Sequence, residues 1–522
     1  MHQLIGVDFD NTLVSYDDLL ERLARERGLV PADTAPGKKT IRDSIRQLPE
    51  GEIKWQKLQG IVYGPRLNEA QLVGGVPEFF QACRQHGVRC VIVSHKTEYA
   101  GYDDTRTNLR QSALAWMEAH RFFESDGLGL RREDVHFAGT RAEKIATIKQ
   151  IGCTLFIDDL EETYLEPTFP SDVEKLLFAP RGHAPLPGVR VCRTWREILD
   201  YMLHFDAFCR LLGQPATNLE WIGGGGNSRI YKLSGPRAGK VYFGQRRLET
   251  EFAALQFLWQ HGVRCVPQPI AADPASMLAV YEFIDGAKLA ANDVTDVDID
   301  AAVEFLATLK RLAAETDAAT LPAAAAEACF TAQAIIENLR SRLVRLGAVP
   351  ALKQFLEGGF CPMLERLAAK APVETELPVE QRTLSPSDFG FHNALRRAEG
   401  RLVFLDFEYF GWDDPAKMIS DFLLHPALEL PERLKRRFAA GMYRRFSANK
   451  GLAKRVETVY PLFGLKWCLI MLNEFVPEDM QRRGFASGSS LDRATTQARQ
   501  LEKARRMLAR IEREHEDFPY RD

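Results

Sequence analysis

The sequence predicts an α/β fold in two parts, a parallel sheet flanked by helices and then a smaller strand-rich region that leads into a long helical one. Residues 1 to about 200 alternate between short apolar strands and helical segments, which is typical of a mostly parallel sheet. Residues 219–243 and 277–283 are strand-rich, whereas the chain from residue 300 onward has mainly helical patterning. Acidic side chains follow apolar strands in both parts.

With 522 residues the chain is too long for one ordinary hydrophobic core, so several domains are expected. We predict a first domain over 1–205 and a second over 206–522, each able to fold on its own. The second would have a strand-rich lobe at about 215–285 and a helical lobe at about 290–522. The strands predicted in the first domain are 4–9, 88–94, 135–138, 154–158 and 189–192.

Composition limits the class of protein. The chain is 45% hydrophobic and 27% charged with a net charge of -3, which indicates a globular protein without a large nucleic-acid-binding surface. No apolar run approaches the ~20 residues that span a bilayer, and no secretion signal is recognised. Nine cysteines without a C-x-x-C pair suit a reducing compartment, so a cytoplasmic location is expected. Oligomeric state is left open.

The first group of candidate catalytic residues follows the apolar strand that starts the chain. Asp8 comes directly after residues 4–7, and Asp10 follows two positions later on the same side. A carboxylate at a strand end can accept a phosphoryl group, and open α/β sheets bind ligands at that edge. Asp10 could protonate the leaving oxygen and then deprotonate the attacking water.

Other strand ends in this part supply matching chemistry. Ser94 could donate a hydrogen bond to a phosphoryl oxygen, and Lys144, near the start of a helix, could neutralise charge on a phosphoaspartate. Asp158 and Asp159 end a further strand, and hard carboxylate oxygens are ligands that Mg²⁺ prefers. The predicted metal ligands are Asp8, Asp10, Asp158 and Asp159.

The order Asp8-x-Asp10-x-Thr12, then Ser94, Lys144 and Asp158-Asp159, resembles the haloacid dehalogenase-like (HAD) superfamily over about 200 residues. The resemblance implies a Rossmann-like parallel sheet, Asp8 as nucleophile, Asp10 as acid and base, Thr12 in the catalytic motif, and Mg²⁺. An acid at position 10 points to the phosphatase branch. The helically patterned stretch at about 16–72 would be the small cap that governs substrate choice.

The second group lies in the strand-rich lobe. A glycine-rich turn at 223–226 would let backbone N–H groups approach nucleotide phosphates, and Lys240 could reach the α- and β-phosphates. Glu251 could pair with that lysine, with Glu249 as the alternative, and residues 281–284 would hold adenine. The predicted ATP-binding residues are Gly223, Gly224, Gly225, Gly226, Ser228, Lys240, Glu251, Glu282 and Ile284.

The helical lobe supplies the rest of a kinase-type set. Asp388 and Asn393 are five residues apart, which is the spacing of a kinase catalytic loop with Asp as base and Asn as metal ligand. Asp406 follows an apolar strand, where a second metal-binding carboxylate is needed. These residues predict Mg²⁺-dependent transfer from ATP to a hydroxyl group.

Residues 215 to about 480 resemble the aminoglycoside phosphotransferase and choline kinase-like family, above all in the segment 406–415. The resemblance implies a bilobal, protein-kinase-like α+β domain with a helical C-lobe. One feature departs from the family, which usually has His-Gly-Asp at the catalytic loop where this chain has Pro386-Ser387-Asp388. A pseudokinase is therefore an open alternative.

Together the two parts predict a bifunctional small-molecule phosphatase and ATP-dependent kinase, acting on a phosphoester and a hydroxyl acceptor. Consecutive steps on a sugar or a surface-polysaccharide precursor are one form of this hypothesis. The alternatives are an antibiotic-modifying phosphotransferase with an appended HAD domain, and a HAD phosphatase regulated by a nucleotide-binding pseudokinase. Polynucleotide end-processing is disfavoured by the balanced charge. An antibiotic acceptor pocket would need acidic residues, for which the candidates are Glu327, Glu337, Glu474, Glu478 and Asp479.

Overall fold

The computed structural model describes residues 4–521, except 32, 36, 103–105, 185, 214–218, 225–226, 316–323 and 477–492. Gly225, Gly226, Glu478 and Asp479 therefore lie outside the described residues. The chain packs into two compact units, residues 1–206 and 207–522. Independent folding of the two parts stays a prediction.

The first unit alternates strands and helices. Its strands are β1 Leu4–Val7, β2 Val14–Ser15, β3 Gln71–Leu72, β4 Arg89–His95, β5 Val135–Ala138, β6 Leu155–Asp158, β7 Glu174–Phe178 and β8 Val189–Cys192. Its helices are α1 Asp17–Glu26, α2 Lys38–Arg46, α3 Gly51–Tyr63, α4 Val76–Gln85, α5 Leu109–Ala119, α6 Arg141–Ile151, α7 Glu161–Leu165 and α8 Trp195–Leu212, the last of which continues past residue 206.

Six of these strands form one sheet in the order β5-β4-β1-β6-β7-β8, and every pair in it is parallel. The chain leaves β1 toward β4 on one side and returns to β6 on the other, which creates the kind of switch point where α/β sheets bind ligands. Strand β7 was not predicted. Its two charged first residues, Glu174 and Lys175, leave an apolar run of three residues, too short to be recognised.

The helical patterning predicted for residues 16–72 is present as helices α1, α2 and α3. They lie between β2 and β3, which pair antiparallel with Val14 opposite Leu72. The short β2–β3 pair thus brings the two ends of the insertion together directly after the Asp8–Thr12 segment.

The second unit has a strand-rich beginning. Its strands are β9 Leu219–Gly223, β10 Ser228–Leu233, β11 Arg237–Tyr242, β12 Pro269–Asp273, β13 Leu278–Glu282, β14 Ala287–Lys288, β15 Thr383–Ser385, β16 Ala394–Arg396, β17 Leu402–Phe404 and β18 Gly411–Asp413. Its remaining helices are α9 Gln245–Gln260, α10 Asp296–Glu315, α11 Ala332–Gly347, α12 Lys353–Phe355, α13 Cys361–Lys370, α14 Pro415–Leu424, α15 Glu432–Arg445, α16 Leu452–Met471 and α17 Arg493–Glu514, with a π-helical turn, Leu356–Phe360, between α12 and α13.

Strands β12-β13-β11-β10-β9 form an antiparallel sheet, with α9 between β11 and β12 in the chain. The later strands form two small antiparallel sheets, β14-β16-β17 and β15-β18, among the helices. The mainly helical patterning predicted from residue 300 onward fails at Ala325 and Ala326, which lie outside any helix. The N–H groups of Ala325 and Ala326 donate to the carbonyls of Trp412 and Tyr409, which replaces local helical hydrogen bonds.

Helix α17 packs its apolar face against α16. Ala504, Leu508 and Ile511 are buried at helical spacing, so α17 is amphipathic. A Cβ atom at Gly464 on α16 would lie 2.2 Å from Ile511 Cδ1, so the two helices approach closely at a position without a side chain. Among the described residues, no helix has the length and apolarity needed to cross a membrane.

We expect Gly464→Ala to destabilise the second unit by about 1–3 kcal/mol, because the added methyl group forces the buried Ile511 side chain out of its packing. Gly347→Ala is the matched control. It lies in the last turn of α11, a Cβ atom there would meet no other atom within 4 Å, and alanine should stabilise the helix by about 0.5–1 kcal/mol. Calorimetric unfolding of both variants tests the contact. Equal changes of stability in the same direction in the two variants would contradict the importance of the Gly464–Ile511 contact.

Candidate active sites

The first site lies at the carboxyl edge of the parallel sheet. Asp8 directly follows β1, Ser94 lies in β4, and Asp158 ends β6, so three adjacent strands supply these side chains. The N–H of Asp8 donates to the carbonyl of Ile157 at 2.9 Å, which extends the pairing of β1 with β6 to the acidic residue. The strands therefore bring Asp8 and Asp158 together.

Lys144, near the start of α6, lies between these two carboxylates. Its Nζ is 2.6 Å from Asp8 Oδ1 and 2.7 Å from Asp158 Oδ2, and all three side chains are buried. A buried charge is tolerated when it is paired and hydrogen-bonded. Lys144 therefore holds both acids at the sheet edge, at the position that the sequence predicted.

One oxygen each from Asp8, Asp158 and Asp159 lies within 4.8 Å of the others. Burial raises the pKa of Asp8 to about 7, and Asp158 adds to this effect while Lys144 opposes it. Burial, Asp8 and Asp158 likewise raise the pKa of Asp159. A cluster of oxygen ligands with more negative than positive charge fits a hard divalent cation such as Mg²⁺.

Asp10 lies outside that group. Its carboxylate accepts a hydrogen bond from Tyr16 Oη at 2.5 Å, and Lys96 Nζ lies 2.9 Å from each of its oxygens. The structure thus pairs the Asp10 side chain with a buried lysine instead of bringing it into the carboxylate cluster proposed to bind metal. Sequence reasoning missed both partners, although Lys96 follows Ser94 at the end of a strand.

Two hydroxyl groups in this site are buried without a hydrogen-bond partner in the described part of the chain. They are Thr12 Oγ1 and Ser94 Oγ. Buried polar atoms are rarely left unpaired, and such exceptions often mark a place where a ligand supplies the partner. Ser94 was predicted to bind a phosphoryl oxygen and Thr12 to belong to the catalytic motif, and both hydroxyls are available as donors.

The second site begins at the turn between β9 and β10. Gly223 has φ of 133°, which favours glycine, and a Cβ atom at Gly224 would lie 2.2 Å from the carbonyl oxygen of Ser228. The chain therefore passes close to itself here, and side chains would block that approach. The predicted Gly225 and Gly226 fall outside the described residues, so the turn as a whole stays a prediction.

Lys240 on β11 pairs with Glu251 on α9, with Nζ 2.6 Å from Oε2. Tyr242 Oη donates to the same oxygen at 2.7 Å. The alternative partner, Glu249, instead accepts a hydrogen bond from Gln245 on the helix surface. Asp406 Oδ1 lies 3.4 Å from Lys240 Nζ, so the lysine connects the strand-rich lobe with the predicted metal ligand.

The predicted adenine-binding segment, residues 281–284, spans the end of β13. The N–H of Glu282 donates to the carbonyl of Gln268, and that of Phe283 donates to the carbonyl of Pro236, each at 2.8 Å. The Glu282 carboxylate accepts from Arg397, and Ile284 is buried. Adenine binding by Glu282 and Ile284 stays a prediction.

The predicted catalytic loop contains a serine in the left-handed region, Ser387, with φ of 69°. Glycine adopts this conformation most easily. Here the Ser387 N–H donates to Ser385 Oγ at 2.9 Å, and its own hydroxyl donates to the carbonyl of Ala326 at 3.1 Å. Lys417 Nζ donates to the same hydroxyl at 3.0 Å. These bonds stabilise the loop geometry that follows Pro386.

Lys417 is itself buried between two acids. Its Nζ lies 2.7 Å from Asp413 Oδ2 and 3.3 Å from Asp421 Oδ2. Burial raises the pKa of Asp413, and the lysine opposes that effect. These ion pairs and the hydrogen bond from Lys417 to Ser387 thus hold α14 against the predicted catalytic loop.

Asp388 Oδ1 lies 3.2 Å from His392 Nε2 and 2.9 Å from His425 Nε2. Burial would raise the pKa of Asp388, but the two histidine hydrogen bonds outweigh it and hold that pKa well below the usual range. Asn393 Nδ2 donates to the Asp388 carbonyl at 3.0 Å, which leaves its Oδ1 as the atom that could bind a metal. Sequence reasoning missed both histidines, and no spacing pointed to His425.

Asp406 belongs to a second acidic group. One oxygen each from Glu251, Asp406 and Glu408 lies within 4.8 Å of the others. Arg247 and Asn227 donate to Glu408 at 2.6 and 2.7 Å, so Glu408 is already engaged. The N–H of Leu405 donates to the Asn393 carbonyl at 2.8 Å, which brings the two predicted metal-binding segments together. Their oxygen donors fit Mg²⁺.

A comparison with protein-family models covers the residues of this second site. Residues 220–453 match the family model described as the phosphotransferase enzyme family, APH. This part of the chain is therefore similar to that phosphotransferase family, and the chain as a whole has a mixed α/β fold. No curated protein matches the chain.

The solved structures that the chain matches include a choline/ethanolamine kinase family protein from Mesorhizobium loti, with 15% identity, a TM-score of 0.40, and coverage of 60% of this chain and 98% of that one. Choline kinase LicA from Streptococcus pneumoniae has 15% identity and a TM-score of 0.40, with coverage of 60% and 99%. The gentamicin complex of APH(2″)-IIa has 15% identity and a TM-score of 0.39, with coverage of 58% and 94%.

We expect Lys417→Met to destabilise the protein by about 3–5 kcal/mol, because Asp413 and Asp421 would lose their buried cation. Adding Asp413→Asn to that variant should recover part of the loss. The matched control is Lys454→Met, since Lys454 is 78% exposed in its pair with Glu457 and should change stability by at most about 0.5 kcal/mol. Calorimetric unfolding checks these values, and equal effects of the two lysine substitutions would show that burial does not matter here.

Proposed function

We propose that this protein is a bifunctional enzyme, an ATP-dependent kinase of a small-molecule hydroxyl in its second unit and a Mg²⁺-dependent phosphatase in its first. The kinase half is supported by the match of residues 220–453 to a phosphotransferase family. The observation that carries the kinase proposal is that Lys240 contacts both Glu251 and Asp406. Asp388 and Asn393, which are hydrogen-bonded to each other, lie in the same domain.

In the kinase step, the acceptor hydroxyl oxygen forms a bond to the γ-phosphorus of ATP. The bond from that phosphorus to the β,γ-bridging oxygen breaks, and ADP leaves. Asp388 takes the hydroxyl proton. Because the pKa of Asp388 is low, the proton moves only as the acceptor oxygen bonds to phosphorus. Lys240 neutralises phosphate charge. Asn393 and Asp406 would hold Mg²⁺, which supplies charge neutralisation for the phosphates when bound.

In the phosphatase step, an Asp8 oxygen would attack the phosphorus of a phosphoester while the bond to the leaving oxygen breaks and Asp10 gives that oxygen a proton. Water would then attack the phosphoaspartate, Asp10 would take the proton, and inorganic phosphate would leave. Support comes from the paired Lys144 and from the unpartnered hydroxyls of Thr12 and Ser94. Asp8, Asp158 and Asp159 would hold Mg²⁺, which screens the phosphoryl charge when bound.

The antibiotic hypothesis requires free acidic groups for a polycationic acceptor, and the described candidates are largely engaged. Glu327 pairs with Arg342 at 2.7 Å and with Lys466 at 3.2 Å. Although burial opposes them, these cations lower the pKa of Glu327 to about 2. Glu337 accepts from Gln333, and Glu474 is buried. We therefore favour a neutral or anionic acceptor, in line with consecutive steps on a sugar-type metabolite.

The kinase proposal predicts that Asp388→Asn lowers transfer by about 10²–10⁴-fold, because the amide has the carboxylate's shape but cannot take a proton. The KM for ATP should change little, since Asp388 contacts the acceptor and not the nucleotide. A screen of hydroxyl acceptors with Mg²⁺ and ATP identifies the reaction, and exposed Asp300→Asn is the control. Tight ATP binding by the unaltered protein without transfer to any acceptor would select the pseudokinase alternative.

The phosphatase proposal predicts that Asp8→Asn abolishes hydrolysis of small phosphoesters, with at least about a 10³-fold loss, because no nucleophilic carboxylate remains. Kinase turnover in the same variant should be unchanged. Asp18→Asn, on the exposed face of α1, serves as the control. Release of inorganic phosphate measures the outcome, and near-normal hydrolysis by the Asp8 variant would show that another group is the nucleophile.

A further inference from the structure

Two histidines contact the predicted catalytic base, and neither is a metal ligand or a nucleotide contact in the proposed mechanism. Both present Nε2 to the same oxygen, Asp388 Oδ1. Their rings stack with centroids 3.9 Å apart and planes 18° from parallel. One carboxylate oxygen is thus covered by two ring nitrogens, which leaves Oδ2 as the other acceptor atom of Asp388.

The protonation of His425 follows from its second contact. The backbone N–H of Ala427 donates to His425 Nδ1 at 3.2 Å, so Nδ1 must present a lone pair. A neutral imidazole with an unprotonated Nδ1 carries its hydrogen on Nε2. Nε2 is the atom 2.9 Å from Asp388 Oδ1, so His425 donates to the carboxylate. Burial lowers the pKa of His425, although Asp388 opposes this, which favours the neutral ring.

The His425 ring is held in place by its surroundings. It directly follows the end of α14 and meets the Trp467 ring edge-on, with centroids 4.4 Å apart. Trp467 Nε1 donates to Asp421 Oδ1 at 3.0 Å. Asp421 is also a partner of Lys417, whose Nζ donates to the Ser387 hydroxyl. The ring that contacts Asp388 and the residue before Asp388 are therefore fixed by one buried network.

His392 reaches the carboxylate from the loop itself. A Cβ atom at Gly390 would lie 2.8 Å from His392 Nδ1, so the absence of a side chain at Gly390 makes room for this ring. His392 Nδ1 is buried and has no hydrogen-bond partner among the described residues. The useful contact of this ring is therefore its Nε2 with Asp388.

The same three residues could bind a transition metal, since their ligand atoms lie within 4.8 Å of one another. Metal binding would require the His425 Nε2 lone pair and would move the ring hydrogen to Nδ1. That hydrogen would then face the N–H of Ala427, whereas a metal-bound histidine normally donates its other N–H to an acceptor. The hydrogen bond from Ala427 therefore favours donation to Asp388 over metal binding.

We propose that His425, with His392 beside it, is a positioning residue for Asp388, holding Oδ1 so that Oδ2 faces the acceptor hydroxyl and takes its proton. The inference rests on the proposed kinase function of the second unit. The proton goes from the acceptor oxygen to Asp388 Oδ2 as that oxygen bonds to phosphorus, and the histidines exchange no proton in the step. Their effect is to reduce the number of orientations that the base can adopt.

The first test needs no turnover. The full chain is labelled with ¹⁵N-histidine, and the His425 signals are assigned by their loss in His425→Gln. Ring ¹⁵N shifts at neutral pH should show a protonated Nε2 and an unprotonated Nδ1. A hydrogen on Nδ1 would overturn the proposal. So would Co²⁺ binding at one equivalent, with the visible absorption of a tetrahedral site that His425→Ala abolishes, because the cluster would then be a metal site.

The second test uses MgATP with water as the acceptor, measured as ATP hydrolysis. His425→Ala should lower kcat about 100-fold with an unchanged KM for ATP, since the base is misplaced but the nucleotide contacts remain. His425→Gln can still donate from Nε2 and should recover kcat to within about tenfold of the unaltered protein. Exposed His261→Ala, in the same unit, is the control.

These outcomes distinguish the positioning role of His425 from the kinase function on which it rests. Equal losses in His425→Ala and His425→Gln, or a change in KM alone, would overturn the positioning role. Failure of the unaltered protein to hydrolyse ATP or phosphorylate any acceptor would count against the proposed kinase function. In that case the ¹⁵N measurement still decides whether His425 donates to Asp388.

Discussion

Buried carboxylates are the constraint on which both sites depend. Acids placed where an apolar strand ends can reach a phosphoryl group, but burying their charge is costly unless a cation accompanies it. Each unit meets this requirement with lysines that lie between two acids. Lys144 does so for Asp8 and Asp158, Lys240 for Glu251 and Asp406, and Lys417 for Asp413 and Asp421. Removing any one of these lysines would leave two acids repelling each other, so each lysine couples stability to the geometry of its site.

The two units reach similar charge arrangements from different folds. In the first, adjacent parallel strands bring their carboxyl ends to one edge, and backbone pairing alone places Asp8 beside Asp158. In the second, the parts come from separate elements, and side chains connect them. Lys240 on β11 reaches Asp406, and Asn227 beside the glycine-rich turn donates to Glu408. The sheet therefore places the acids of the first site, which Lys144 then neutralises, whereas the second site is also assembled by polar contacts between separate elements.

This difference explains how much could be predicted from the sequence. An apolar strand that ends in an acid is a local signal, and the positions of Asp8 and Asp158 were recognisable from it. Asp388 was recognisable from another local signal, its five-residue spacing from Asn393. Lys96 reaches Asp10 from 86 positions away, and the contact of His425 with Asp388 joins residues 37 positions apart. Strand β7 was missed because only three of its residues are apolar, whereas the course of Ala325 and Ala326 was missed because their N–H groups bond to the distant Trp412 and Tyr409.

The left-handed residues Ser387 and Asp406 show how local strain and distant contacts are connected. Each has φ near the value that glycine adopts freely, 69° for Ser387 and 67° for Asp406. Ser387 directly precedes Asp388, and Asp406 is itself an acid of the second site. Such a conformation persists only where surrounding contacts outweigh its cost. For Ser387 these are the bonds to Ser385, Ala326 and Lys417, and for Asp406 the pair with Lys240. The departure from His-Gly-Asp at Pro386-Ser387 is therefore compatible with an ordered catalytic loop, because the serine hydroxyl forms contacts that a glycine at this position could not form.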